Sequence, residues 1–422
     1  MREYVLRIFR NPLISGSVIT FLGFLSGNFF NFLFNVYMSR SLSVAEYGTF
    51  ASIVSIILLY SFLAESFIPT VVHFASTYFA NGEIDKSRGL FIKVTKLALG
   101  VGSFGFLIFI VFSKSISDFF NIQNENLLIF VGFTMLFAFT GAVNRAFLQA
   151  KLAFSFITYL SIFSSTFKLL IGVVLVFLGL GVYGAVWAFF LEFFIQYLIM
   201  LVPLRTFFSK KGESKMHILT LLAYGAPTTL TLLGFASFIT ADIILVKHFF
   251  SARDAGIYAG LSLLGRVIYF FSAPIITVMF PLIVQRHARN ETYTHVFKTA
   301  VFFTFISSIF LTAFYSLFPE LCIRILLRRD EYLVLKPLLW YFGLYMIVYS
   351  LLSVLINFFL SVKKTKIYIP VVISAFLQVL ILVFFHRSMQ EVISVSLSVT
   401  SLLLLVLLLY YFMLYGSKTK NK

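Results

Sequence analysis

The chain has 422 residues, 60% of them hydrophobic and 12% charged, with a formal net charge of +17. Soluble domains run near half apolar and a quarter charged, so this composition excludes a water-soluble globular protein. The lone Cys322 excludes an intramolecular disulfide and a cysteine-based metal site, and in so apolar a chain the basic excess reflects the inner-face bias of membrane proteins rather than nucleic-acid binding.

Runs of about 20 apolar residues recur along the whole length, each long enough to cross a bilayer as a helix. Hydropathy places twelve spans near 14–38, 48–80, 90–113, 127–150, 154–179, 183–207, 217–249, 254–285, 297–318, 333–361, 367–385 and 390–415. The first begins near Pro12; it is too long for a signal-peptide core and is read as a retained span. It carries Asn28, Asn31 and Asn35 on one face. Span 2 carries Ser61, Glu65, Pro69, His73 and Thr77 at every fourth position, and Pro69 predicts a kink. Span 5 aligns Ser161, Ser165 and Lys168, and span 6 aligns Glu192 and Gln196. Spans 2, 7, 8 and 10 are longer than a bilayer needs and are expected to tilt, kink or protrude.

With the N-terminus on the cytoplasmic side, 21 Lys and Arg residues fall on the inner face and nine on the outer. This bias predicts that both termini are cytoplasmic.

Two nonapeptides, SVAEYGTFA at 43–51 and SARDAGIYA at 251–259, fit one template, S-x-x-[DE]-x-G-x-[FY]-A, offset by 208 residues. Each opens a span from an outer turn. The serine is expected to cap the helix and the acid three residues on to complete a capping box, while the glycine permits close helix approach. A second pair, NRAFLQAK at 144–151 and NFFLSVKK at 357–364, ends spans 4 and 10 at an offset of 213. Six spans separate the partners, so the halves share one orientation. The expectation is an all-α integral membrane protein: twelve transmembrane helices in two parallel-repeat six-helix bundles around a central cavity. The bundles are 1–208 and 217–422, joined by a cytoplasmic linker at 209–216 that contains SKKGESK.

Asp242-Ile-Ile-Leu, a short turn, and then Gly256-Ile-Tyr258-Ala resemble the span 7 to span 8 signature of bacterial polysaccharide exporters. Asn144-Arg145-x-x-Leu148-Gln149, the turn GLGVYGA at 179–185 and RRDEYLVLKPLL at 328–339 are similar to the same family's patterns, although Arg329 and Asp330 stand where the family usually has a glycine. The family belongs to the multidrug/oligosaccharidyl-lipid/polysaccharide exporter superfamily. The resemblance implies a flippase of polyprenyl-pyrophosphate-linked oligosaccharide repeat units in the bacterial cytoplasmic membrane, serving O-antigen, capsule or exopolysaccharide synthesis. It also implies a polysaccharide polymerase and a chain-length regulator as partners, and no cofactor or metal. GLGVYG matches a dinucleotide fingerprint in letters but lies between two apolar spans, and no P-loop motif is present, so ATP does not drive transport in the P-loop manner.

Six ionisable residues fall inside spans: Glu65, Arg145, Lys168, Glu192, Asp242 and Arg266. Each costs roughly 2.5–3.5 kcal/mol to insert at mid-membrane, so each is a functional candidate. Their charges cancel, and internal ion pairs that fix helix packing are the alternative. On the flippase reading, Arg145, Lys168 and Arg266 meet the pyrophosphate, and Asn28, Asn31 and Asn35 bond sugar hydroxyls. Glu65, His73 and Asp242 are then the candidates for proton or sodium coupling. The rival readings are a cation-coupled multidrug exporter of the same superfamily and a membrane glycosyltransferase or polymerase. The short outer loops count against the enzyme.

Overall fold

A computed structural model describes residues 12–122, 125–207 and 218–415, and all regular structure among them is helical. The expected linker at 209–216 lies outside the described residues, as do the basic tails. In chain order the first half comprises α1 (Pro12–Ser41), α2 (Val44–Ser66), α3 (Ile68–Ala80), α4 (Ile84–Val111), a short α5 (Ser113–Phe120), α6 (Asn126–Ala150), α7 (Phe154–Leu175) and α8 (Gly181–Leu204). The second comprises α9 (Ile218–Ser237), α10 (Ala241–Phe249), α11 (Ala252–Ala288), α12 (Thr294–Leu317), a short α13 (Pro319–Leu326), α14 (Lys336–Ser361), α15 (Tyr368–Phe384) and α16 (Met389–Tyr415).

Among the described residues nine helical stretches are long and apolar enough to cross a membrane, and the bent pair α9–α10 makes ten. One of the nine, Phe154–Phe207, contains both α7 and α8, which meet at a turn where Gly179 (φ 86) and Gly181 (φ 49) take positive φ. These are glycines of the GLGVYGA segment, and only glycine enters such a conformation without strain. The helices are compatible with the twelve spans expected. Exposed Phe104, Phe177, Phe310, Phe376 and Phe412 cover the outward faces, as suits side chains turned to lipid.

The duplication is visible in the elements themselves. The stretch from the start of α2 to the end of α3 and the stretch occupied by α11 are offset by 208 residues at both ends. The short helices α5 and α13 have eight residues each and are offset by 206. The second sequence match is two residues out of register. Helices α6 and α14 end 211 residues apart, not 213, and the left-handed residues that close them, Leu152 (φ 60) and Lys363 (φ 59), keep that offset. Both segments write a polar helix end, and end chemistry resembles itself at neighbouring registers.

The helices gather into two compact units, Met1–Ser41 with Tyr60–Ala226 and Leu42–Leu59 with Pro227–Lys422. This departs from the expected boundaries, because the start of α2 belongs with the second half of the chain. The physical reason is the nonapeptide, whose Gly48 packs directly against Gly256. Within the first unit α4 and α6 pack together, as do α1 with α7 and α7 with α8. Within the second, α12 and α14 correspond to the first of these pairs and α15 and α16 to the last.

Both serines cap their helices, and the first nonapeptide also completes the capping box through its acid. The Glu46 carboxylate accepts from the Ser43 amide at 2.9 Å and from its hydroxyl at 2.7 Å. Ser251 Oγ accepts from the Asp254 amide at 3.1 Å and donates to its carboxylate at 2.7 Å. The Pro69 kink also appears: helix α2 stops at Ser66 and α3 starts at Ile68, with Pro69 in its first turn. In the outer loop the left-handed residue is Arg328 (φ 66), while Arg329 is extended, so the turn is closed one position before the expected glycine. There the Arg324 guanidinium donates to Asp330 at 2.9 Å.

Candidate functional site

Three polar clusters lie among the apolar helices. The first is open. Arg145 on α6 donates to Glu65 on α2 at 3.0 Å, with side chains 28% and 55% exposed. Neither group is tolerated against hydrocarbon without help, so this face is wetted or meets a polar ligand. His73, one turn below Pro69 on α3, is exposed on the same stripe, and Thr77 bonds back to its carbonyl at 2.9 Å. Below the stripe, an apolar cavity of about 320 Å³ lined by Leu63, Phe67, Val94, Val101, Phe139 and Val143 separates the kink from α4 and α6.

The second cluster is closed. Lys168 on α7 lies 2.8 Å from Glu192 on α8, the side chains being 5% and 14% exposed. Its ammonium also donates to the Asn31 side chain on α1. The Phe189 and Phe34 rings stand 4.3 Å and 5.4 Å from the nitrogen. Asn35 donates to the Asn31 carbonyl at 2.8 Å, and Asn28 is likewise engaged. One lysine thereby ties three helices together. The burial is tolerable because charge, amide and ring faces together replace water.

The third cluster surrounds a break in span 7. Helices α9 and α10 are bent by 44° across Phe238–Thr240. A broken helix leaves carbonyls without partners, and in an apolar setting each must be satisfied. Tyr345 on α14 donates to the Phe238 carbonyl at 2.6 Å and Gln378 on α15 to the same oxygen at 3.1 Å. Arg266 on α11 donates to the Ile239 carbonyl at 3.0 Å. Asp242, 1% exposed, follows the break; one oxygen accepts from the Ile243 amide at 2.8 Å and the other from Tyr258 at 2.8 Å. Tyr258 is the aromatic residue of the second nonapeptide. At the corresponding positions 208 residues earlier stand Phe50 and Phe34, so the duplication carries a polar pair in one copy only.

The two closed clusters occupy matching places. Gln378 on α15 reaches the Phe238 carbonyl of span 7 and the Ser396 hydroxyl of α16 at 2.9 Å. Lys168 on α7 reaches α1 and α8 in the same way, with charges in place of neutral groups. Of the nine residues proposed from sequence, the structure thus joins Arg145 with Glu65, and Lys168 with Asn31, to which Asn35 bonds in turn. It places Arg266 and Asp242 around one break and leaves His73 on the open stripe. Sequence reading missed Tyr345 and Gln378. A lone glutamine inside an apolar span carries the same signal that singled out Lys168.

Residues 37–330 match the model of a family described as polysaccharide biosynthesis protein. No curated protein matches the chain significantly. Among solved structures, the fold is similar to an inward-facing multidrug resistance MATE family transporter of the MOP superfamily, at 13% identity and a TM-score of 0.74, covering 94% of this chain and 96% of that one. It is similar to the lipid II flippase MurJ in an inward closed conformation, at 16% identity and 0.70, covering 94% and 87%. It is also similar to a MOP superfamily transporter from Pyrococcus furiosus with a binding pocket of reversed polarity, at 15% and 0.63, covering 95% and 96%. All three are named as transporters or a flippase. The chain is a multi-pass membrane protein of the polysaccharide biosynthesis protein family, built on the fold of MOP superfamily transporters.

Proposed function

We propose that this protein flips polyprenyl-pyrophosphate-linked oligosaccharide repeat units across the bacterial cytoplasmic membrane, with both termini cytoplasmic, for O-antigen, capsule or exopolysaccharide synthesis. The family and the fold it shares with a lipid II flippase support this reading. The observation that carries it is the open Arg145–Glu65 pair: of the three intramembrane cations, Arg145 keeps an accessible guanidinium on a polar stripe. Its remaining donors suit a pyrophosphate, which cannot cross hydrocarbon bare. Lys168 is committed to Glu192 and acts by holding the helices, while Arg266 gives one bond to the Ile239 carbonyl at the span 7 break and keeps its Nε buried without a partner. Glu65 and His73 lie on the open face and are the coupling candidates, whereas both Asp242 oxygens are already bonded.

In liposomes carrying a fluorescent lipid-linked oligosaccharide, Arg145→Ala should slow flipping by roughly 10- to 100-fold, the loss of a hydrogen bond to a charged group, while Arg145→Lys retains part of it. Unchanged flipping in Arg145→Ala overturns the assignment. The exposed Glu65 carboxylate favours a second reading, export of a cationic drug. Export of cationic dye that stops in Glu65→Gln, with no flipping by the parent protein, would select it.

A further inference from the structure

A cavity of about 760 Å³ opens in the first unit, where α3 ends, α4 begins, and the chain leaves α6 and α8. That volume is within the range of small-molecule sites. Among the described residues its cations are Arg88 and Lys151, and no acid lines it. Arg88, its side chain 18% exposed, reaches Asp85 at 2.9 Å, and Asp85 itself is 79% exposed. Lys151 stands over the Phe207 ring, 4.6 Å from its centre. Partial burial lowers its pKa from the ordinary value, yet the side chain is exposed, so its ammonium is open to an anion in the cavity. Phe207 itself is packed among Phe79, Phe91 and Phe147, with centroids at 6.1, 5.4 and 5.8 Å, which fixes the floor on which the lysine rests. Ser76 and Thr206 add hydroxyls to the wall.

The rim differs in kind. Ile84 is 51% exposed and Leu152 is 72% exposed, the latter held outward in a left-handed conformation. Cations inside and bare aliphatic side chains at the mouth match a ligand that carries phosphate next to a hydrocarbon chain. Free phosphate would gain nothing from that rim. The duplication does not impose the cavity. Near the corresponding helix ends of the second unit, Phe297, Phe358 and Tyr411 fill space with rings, at centroid separations of 4.2 Å and 4.9 Å from Phe297.

We infer that this cavity is a binding site for the phosphate headgroup of a membrane lipid at the Lys/Arg-rich face, held by Lys151 and Arg88. Two lipids share that chemistry: bulk anionic phospholipid and a polyprenyl phosphate carrier. The inference stands apart from the flippase reading. If the carrier is preferred, the site becomes the first station of the substrate, before Arg145.

The test is native mass spectrometry of the purified full-length protein titrated with phosphatidylglycerol and, separately, with undecaprenyl phosphate. The double variant Arg88→Gln, Lys151→Gln should bind at least one of the two about tenfold more weakly, as expected for lost charge-assisted contacts. Arg88→Lys with Lys151→Arg should recover it. Lys86→Gln, an exposed lysine outside the cavity, should bind as the parent does. The lipid whose binding falls more identifies the source. Binding of both lipids within about twofold of the parent in a folded double variant overturns the site. The flippase reading is judged separately, by flipping in Arg145→Ala.

Discussion

Gly48 and Gly256, the glycines of the two nonapeptides, lie backbone against backbone. A Cβ on Gly48 would come within 2.6 Å of the Gly256 nitrogen, and one on Gly256 within 1.8 Å of the Val44 carbonyl oxygen. The same template is written twice because the two copies meet. Each supplies a capped helix start and a glycine that lets the other approach.

Either methyl would meet backbone that cannot rotate away, and Gly256→Ala should be the more damaging of the two because its approach is closer, 1.8 Å against 2.6 Å. Overpacking of this kind costs about 1–3 kcal/mol, read as a lower melting temperature by fluorescence-detected size exclusion. Gly100 on α4 is the control. Nothing stands within 4 Å of a Cβ there, and Gly100→Ala should raise stability by up to about 1 kcal/mol through helix propensity. Equal effects at the two glycines would contradict the packing.

Ser251→Ala removes the side chain that accepts from the Asp254 amide, and should cost about 1 kcal/mol. Ser251→Thr should retain most of the stability, because its hydroxyl can both accept from the Asp254 amide and donate to the Asp254 carboxylate. A melting curve that moves alike in both variants would place the serine's role elsewhere.

Lys168 and Glu192 are buried together, so removing one leaves the other stranded. Breaking such a pair costs about 3–5 kcal/mol. Lys168→Ala should fall sharply in membrane abundance on an immunoblot, and Lys168→Leu combined with Glu192→Leu should recover much of it. Normal abundance with lost flipping in Lys168→Ala would instead return the lysine to the substrate.

The outer loop offers a pH test. Lys336 at 2.5 Å, then Arg324 at 2.9 Å, hold the Glu320 carboxyl below its ordinary value of 4.5. A carboxyl depressed on folding contributes stability above its ordinary pKa, and that contribution is lost as pH falls through the depressed value. Melting curves should therefore show an acid-dependent loss below about pH 4.5 that is smaller in Glu320→Gln. An identical acid profile in that variant would assign the loss to other groups.

Cysteine labelling tests the orientation. On a Cys322→Ser background, Asp118→Cys and Arg387→Cys should react with impermeant reagent from outside, and Lys86→Cys and Lys364→Cys only after permeabilisation. The opposite pattern would invert the topology read from the Lys/Arg bias.

The sequence by itself determined the membrane class, the all-helical architecture, the duplication, the caps and the kink at Pro69. Each of these rests on a local signal: apolar runs, a repeated motif, a serine before an acid, a proline in a helix. It also marked Lys168, Glu192, Arg145 and Glu65 as costly, because an ionisable group inside a span is conspicuous wherever it points. Which acid each cation meets was decided only by the tertiary structure, since partners 24 and 80 residues apart along the chain share no periodicity. The start of α2 likewise joins the second unit through a glycine contact that spans half the chain. The break in span 7 is the clearest case. Phe238, Ile239 and Thr240 include no glycine and no proline, and nothing local forbids a helix there. The chain bends because Arg266, Tyr345 and Gln378, on three other helices, are in place to satisfy the carbonyls that the bend sets free.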